Sequence, residues 1–145
     1  MEGNGVANNP FENQINKLVD SIIKSGYFGT KLHPHRLHDG TYVDGEPFDY
    51  MIALPEYKAC FDAKSIHGDS WKFEKKDIKQ AANLKHCKNA GLDSFFIVYF
   101  FKLRKMIKFD VDVFLNVLAE KRKYLKPDEG TEWREIDGII KQLNK

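Results

Sequence analysis

The feature that most constrains the fold is a continuous apolar run at residues 94–101, which reads SFFIVYFF. A strand with one face in water alternates polar and apolar residues, whereas a strand covered on both faces is apolar throughout. The run is short for a helix, so it predicts a central strand with helices packed on both faces of its sheet. With 145 residues, the chain is long enough to bury a core of this kind.

The flanking segments supply the expected helices. One helix should begin at Pro10 and end near Ser25-Gly26, and a second should run from about residue 74 to 90, before Gly91. Shorter helices are predicted at about 112–122 and 132–144, and a further strand at 105–109. Between the first helix and residue 48 we expect a loop with one short strand, near Lys31 or Tyr42.

The predicted fold class is α/β, or more broadly α+β, with a central mixed sheet flanked by helices. Residues 1–9 are rich in Gly and Asn and should be disordered. Residues 10–145 should form a single domain, because no linker or internal repeat interrupts them.

Two further strands are predicted at residues 48–54 and 58–66, joined by a turn at Pro55-Glu56. Residues two apart in a strand share a face, so Asp62 and Lys64 should point the same way. The hairpin would bring Asp49 beside them from the neighbouring strand. Two carboxylates with an amine can hold a hard divalent cation next to a positive, water-orienting group. This arrangement suits metal-dependent phosphodiester cleavage and therefore predicts a nuclease.

The strings FDYMIALPEYKACFDAKS and KDIKQAANLKHCKNAG, followed by SFFIVYF, carry a family resemblance. They resemble the PD-(D/E)xK nuclease superfamily, and within it the RecU-type Holliday junction resolvases of Gram-positive bacteria and their phages. The resemblance covers residues 10–118 and implies a restriction-endonuclease-like core. The chain departs from the RecU pattern in two ways: residue 62 is Asp rather than the commoner Glu, and the segment before Asp49 is shorter than the RecU stalk.

The resemblance also implies roles for individual residues. The implied metal ligands are all oxygen donors: Asp49, Asp62, the backbone carbonyl of Ala63 and, as a further candidate, Glu12 on the first helix. The metal would be Mg²⁺, with Mn²⁺ as a substitute. Lys64 would orient the attacking water or neutralise the phosphate. Gln80, on the following helix, would orient Lys64 or that water, so the implied catalytic set is Asp49, Asp62, Lys64 and Gln80.

Branched DNA, and a four-way junction in particular, is the implied substrate. Such a junction needs two cuts related by a two-fold axis, so a homodimer is expected. The net charge of only +2 says little about a polyanionic partner, but the basic residues are locally clustered. We expect these residues to contact the DNA backbone: Arg36, Lys72, Lys75, Lys76 and Lys79.

Two alternative functions remain open at this point. The chain could be another PD-(D/E)xK nuclease that cuts flaps, nicks duplexes or acts like a restriction enzyme. It could also be a non-catalytic DNA-binding protein on the same scaffold. Cleavage of different DNA forms with and without a divalent metal would distinguish the three.

The sequence also predicts a cytoplasmic protein with no membrane partner. The first residues, MEGNGVANNP, lack the basic start and apolar run of a signal peptide. The longest apolar run is too short to cross a bilayer. Cys60 and Cys87 form no CxxC pair, which favours reduced, packed thiols.

Overall fold

The structure is a computed structural model that describes residues 10–32, 48–134, 138, 139, 141 and 143, with side chains from residue 13 onward. The helices are α1 (Pro10–Lys24), α2 (Lys75–Asn89) and α3 (Val111–Ala119). The strands are β1 (Phe28–Lys31), β2 (Tyr50–Leu54), β3 (Tyr57–Ile66), β4 (Trp71–Lys72), β5 (Asp93–Phe100), β6 (Lys105–Asp110), β7 (Tyr124–Leu125) and β8 (Thr131–Glu132).

Within the described residues, six strands form one sheet in the order β1-β2-β3-β5-β6-β8. The pairing of β3 with β5 is parallel, and the other neighbours in this sheet are antiparallel. The apolar run predicted as a central strand is β5, which lies between β3 and β6. Its residues 94–98 are all buried, as a strand covered on both faces requires. Strands β4 and β7 pair separately.

Helices cover both faces of the six-stranded sheet. On one face α1 packs through Ile15 and Ile22 against a cluster that includes Phe61 and Phe95 of the sheet. On the other face α2 and α3 pack on a second cluster, in which the side chain of Trp71 lies between several rings of the core. The mixed sheet flanked by helices is therefore confirmed.

The connection from β3 through α2 to β5 decides where functional residues can meet. Two parallel strands need a crossover, and α2 provides it. As a result the carboxyl ends of β3 and β5 lie at the same edge of the sheet as the first turn of α2. We call this edge, formed by the ends of β3 and β5, the carboxyl edge. The bend before β2 also lies near it, because Tyr50 pairs with Phe61 in the antiparallel β2–β3 ladder.

Some predicted boundaries were wrong. The helix predicted at 132–144 starts too early, because Thr131–Glu132 form β8 against β6, whereas the described residues 138, 139, 141 and 143 are helical. The helix predicted at 112–122 is α3, which ends at Ala119. The strand expected near Lys31 or Tyr42 is β1, at Lys31. The predictions for residues 1–9 and for the segment compared with the RecU stalk concern residues outside those that the structure describes.

The described part of the chain contains no helix that is both long and apolar enough to span a membrane. Both cysteines are free: Cys60 is buried on β3 and Cys87 is partly buried on α2.

Candidate active site

Two carboxylates meet where the start of β2 lies beside the middle of β3, at the end of the hairpin away from its turn. Asp62 lies in β3 and is only 1% exposed. Asp49, in the bend before β2, accepts a hydrogen bond on its Oδ2 from the backbone N–H of Ala63, at 3.0 Å. This bond holds the Asp49 side chain against β3 beside Asp62. The structure thus brings together the two acids that the sequence predicted as partners.

One oxygen of this pair lacks a partner. Among the described residues, Oδ1 of Asp62 is buried and accepts no hydrogen bond. Buried polar atoms are nearly always satisfied, so an orphaned carboxylate oxygen beside a second carboxylate is a position that a cation would fit. In a strand the N–H and C=O of one residue point toward the same neighbouring strand. The carbonyl of Ala63 therefore points to the side on which Asp49 lies.

The protonation of Asp62 reflects this environment. The pKa of the Asp62 carboxyl is raised from 3.8 to about 7, because the effect of burial is only partly opposed by the ammonium of Lys64 and is reinforced by nearby Asp49. A carboxyl with this pKa is only partly ionised at neutral pH in the metal-free protein. Since a metal ligand must be deprotonated, cation binding would compete with this proton and tighten as the pH rises.

Lys64 is held by three side chains. Its Nζ lies 2.9 Å from Oδ2 of Asp62 and 2.6 Å from Oδ1 of Asp77, and it donates to Oε1 of Gln80 at 3.3 Å. Its side chain is only 11% exposed. Burial lowers the pKa of the Lys64 ammonium, but the Asp62 and Asp77 carboxylates outweigh burial, and the net effect is a raised pKa. Lys64 is thus a fixed, charged donor at neutral pH rather than a base.

Asp77 is the residue of the candidate site that the sequence analysis missed. Its Oδ1 contacts Lys64, and its Oδ2 accepts a hydrogen bond from the backbone N–H of Glu74 at 2.8 Å, as part of a capping box at the start of α2. The Glu74-x-x-Asp77 spacing has the form of a capping box, and such a box explains an acid in the first turn without any role in a site. The available signal was its place on the packed face of α2, together with Gln80.

The predicted DNA-contacting lysines lie close to this site in the chain. Lys72 is in β4, and Lys75, Lys76 and Lys79 are in the first turns of α2, the helix that carries Asp77 and Gln80. All four are exposed. They border the carboxyl edge, but their contact with DNA stays a prediction. Arg36 lies outside the described residues, and the side chain of Glu12 precedes the first one described, so both of those predictions stay open.

The donor set fits a hard cation bound by few protein ligands. Within the described part of the chain, no three His, Cys, Asp or Glu side chains are grouped to hold a metal. Two adjacent carboxylates and one carbonyl nevertheless match Mg²⁺, which keeps several waters and takes only one or two carboxylates in many enzymes. Carboxylate and carbonyl oxygens are hard donors, and a donor set of this kind suits Mg²⁺ or Mn²⁺ better than zinc.

Comparison with protein families decides the family. Residues 21–135 match the model of RecU, described as Recombination protein U. This chain belongs to the RecU family. The predicted function, a Holliday junction resolvase and metal-dependent nuclease of DNA recombination, is thereby confirmed. The RecU match extends beyond residue 118, where the resemblance seen in the sequence ended, and includes β8.

The fold has a counterpart among solved structures. The RecU-family chain is similar to Hjc of Archaeoglobus fulgidus, a Holliday junction resolvase from an archaeal hyperthermophile, with a TM-score of 0.54 and 13% identity. The similarity covers 83% of this chain and 94% of Hjc. At this identity the likeness concerns the fold, and it confirms the predicted restriction-endonuclease-like core. A search of curated proteins found no match.

Proposed function

We propose that this RecU-family resolvase cuts four-way DNA junctions by Mg²⁺-dependent hydrolysis of a phosphodiester bond, with Asp49, Asp62, Lys64 and Gln80 as its catalytic set. The observation that carries the proposal is the unpartnered oxygen of buried Asp62, which lies beside Asp49 and next to the fixed ammonium of Lys64. A non-catalytic DNA-binding protein would have no need for a buried acid as costly as Asp62 beside a second carboxylate.

The residues that would hold the cation are Asp49, Asp62 and the carbonyl of Ala63. When bound, a divalent cation supplies positive charge that activates a water and stabilises the negative charge developing on the phosphate. Mn²⁺ would substitute for Mg²⁺, because both accept hard oxygen ligands. Glu12 stays a candidate for an additional acidic ligand.

Lys64 would act as the second source of positive charge. Its ammonium would donate a hydrogen bond to a phosphate oxygen or to the attacking water. Asp77 and Gln80 already hold the Nζ of Lys64 at 2.6 and 3.3 Å, so little reorganisation would be needed during the reaction. Charged donors fixed before the reaction are the most effective kind of electrostatic stabilisation.

The substrate geometry supports a homodimer. A four-way junction is resolved by two symmetric cuts, and a two-fold pair of identical sites makes both cuts with one kind of active site. Exposed Lys72, Lys75, Lys76 and Lys79, with Arg36, would contact the backbone of the DNA arms. A cytoplasmic location fits an enzyme whose substrate is recombining DNA.

The test is cleavage of a labelled four-way junction beside a duplex and a flap of matched sequence, in Mg²⁺, Mn²⁺ or EDTA. We expect paired symmetric nicks in the junction with either metal and none in EDTA. Asp62→Asn should bind the junction without cutting it. The control is Asp20→Asn, because Asp20 is an exposed acid on α1, a helix on the opposite face of the sheet, and this variant should cut normally.

Each other outcome rejects part of the proposal. Cutting by Asp62→Asn would remove Asp62 from the metal site. Preferential cutting of the flap or the duplex would favour another PD-(D/E)xK activity. A wild-type protein that binds DNA but cuts none of the three substrates in either metal would favour the non-catalytic alternative.

A further inference from the structure

The turn that joins β5 to β6 is basic and projects into solvent. We call residues 102–105, which read KLRK, the hairpin tip. All four residues are exposed, and Leu103 is among the exposed large hydrophobic residues of the described chain, at 48%. This tip lies outside the active site described above, and none of its residues contacts the two predicted metal-binding acids or Lys64.

The hairpin tip lies at the carboxyl edge, beyond the strand that carries the site. In the parallel β3–β5 ladder, Lys64 pairs with Val98 and Ile66 with Phe100. Phe101, which leads into the tip, donates its backbone N–H to the carbonyl of Ile66 at 3.0 Å. The tip thus continues directly from the end of β3. At about 3.3 Å per residue, the four steps from Asp62 to Ile66 span about 13 Å.

An aromatic stack fixes the base of the tip. The rings of His67 and Phe101 are parallel within 2°, with centroids 4.0 Å apart. His67 directly follows β3, so the stack joins the end of the site-bearing strand to the first residue of the turn. Because of this stack and the ladder, the tip should keep a defined position relative to the active site.

The positive charge of the tip is only weakly compensated. Lys102 pairs with Asp69 at 3.0 Å, but the side chains are 60% and 88% exposed, and an exposed pair of this kind contributes little. Arg104 and Lys105 form no ion pair with any described residue. A ligand that carries several negative charges would meet these three side chains at little desolvation cost.

Arg104 also adopts an unfavourable backbone conformation. Its φ is +53°, in the left-handed region where glycine is favoured and a long side chain is uncommon. Gly or Asn would adopt this conformation at a lower cost. An outlier of this kind is a reason to look for a functional use of the side chain.

We propose that the hairpin tip is a DNA-backbone contact, in which Lys102, Arg104 and Lys105 bind phosphates of the arm being cut. The choice of DNA over an acidic protein rests on the proposed function and on the shared edge with the active site.

The binding test uses the full chain in EDTA, where no cutting is expected, and a labelled four-way junction at several salt concentrations. Arg104→Gly and Lys105→Ala should each weaken binding, and each should lower the slope of log K against log salt by about one. At saturating enzyme in Mg²⁺, single-turnover cleavage should continue at close to the wild-type rate. Lys58→Ala is the matched control, because Lys58 is an exposed lysine at the opposite end of β3.

Arg104→Gly also separates a DNA contact from a folding effect. Glycine relieves the left-handed strain, so the melting temperature should stay the same or rise while junction affinity falls. A loss of affinity caused by misfolding would come with a lower melting temperature, and that result would overturn the inference for this residue. An oligomeric mass that changed in the variant would identify the tip as a self-association surface instead.

Failure of the inference can be told apart from failure of the proposed function. If the wild-type protein resolves junctions and the tip variants keep its affinity and salt slope, the tip does not contact DNA and the resolvase site stands. If the wild-type protein neither binds nor cuts the junction, both proposals are rejected.

Discussion

Replacing Asp62 with Asn should stabilise the metal-free protein in a strongly pH-dependent way. The amide has the shape of the carboxyl group and can accept from Lys64 while donating to Asp49, so it satisfies the same surroundings without a buried negative charge. The wild-type carboxyl has to ionise in a site where burial has raised its pKa from 3.8 to about 7. The variant is free of that cost at every pH.

The direction and size of the effect follow from proton linkage. Between pH 3.8 and about 7, the unfolded state loses the Asp62 proton while the folded state keeps it. The folded state then binds more protons, so its stability falls as the pH rises through this window. The slope is at most about 1.4 kcal/mol per pH unit and flattens near pH 7, where the folded-state carboxyl itself ionises, so from pH 5 to pH 7 the wild-type protein should lose about 2 kcal/mol relative to Asp62→Asn.

The measurement is urea denaturation of both proteins in EDTA at pH 5, 6, 7 and 8. Other titrating groups are common to the two proteins, so the difference between their unfolding free energies isolates residue 62. Asp20→Asn, at an exposed position on α1, should follow the wild-type curve. Parallel wild-type and Asp62→Asn curves would show that Asp62 ionises normally, and the reasoning from burial would then be wrong.

Two other predictions concern the start of α2 and the packing of the sheet edge. Asp77→Asn should slow junction cleavage about 10–100-fold with little change in junction affinity. The reason is that the single oxygen of the amide cannot accept from both Lys64 and the backbone N–H of Glu74. Equal effects on binding and on rate would contradict this. Gly130→Ala should cost about 1–3 kcal/mol in urea denaturation, since its Cβ would lie 2.6 Å from Cγ2 of Ile107. Gly68→Ala, with no atom within 4 Å of its Cβ, should be neutral, and a comparable loss there would discount the packing argument.

The sequence predicted the parts of the fold that have strong local patterns. The apolar run at 94–101 marked β5, and the segment 58–66, which follows the turn at Pro55-Glu56, marked β3, because each strand is long enough to carry a recognisable pattern. The two-residue strands β4, β7 and β8 were missed, since two residues carry no period. Thr131 and Glu132 join the sheet only because β6 offers an open edge, which is a tertiary effect.

The residues of the candidate site also differ in how far the sequence alone could predict them. Asp49, Asp62, Lys64 and Gln80 could be named in advance because their types and order matched a family pattern. Asp77 was not named, because its contact with Lys64 depends on how α2 sits against β3, and its place on the packed face of α2 does not by itself separate it from an ordinary capping acid. In the sequence the hairpin tip is recognisable only as a basic segment. Its position at the end of β3 follows from the pairing of β3 with β5.

The packing of Trp133 has a consequence for how the enzyme is made. Its ring contacts Phe61, the residue next to Asp62, with centroids 5.4 Å apart, and it covers the face of β3 opposite the acids. Ribosomes synthesise the chain from its amino end, so every proposed catalytic residue emerges well before Trp133 does. Until then one face of β3 is incompletely packed, and in the nascent chain the side chains of Asp62 and Lys64 should be poorly fixed in position. We therefore expect a nascent chain to become competent for cleavage only after Trp133 has left the ribosome.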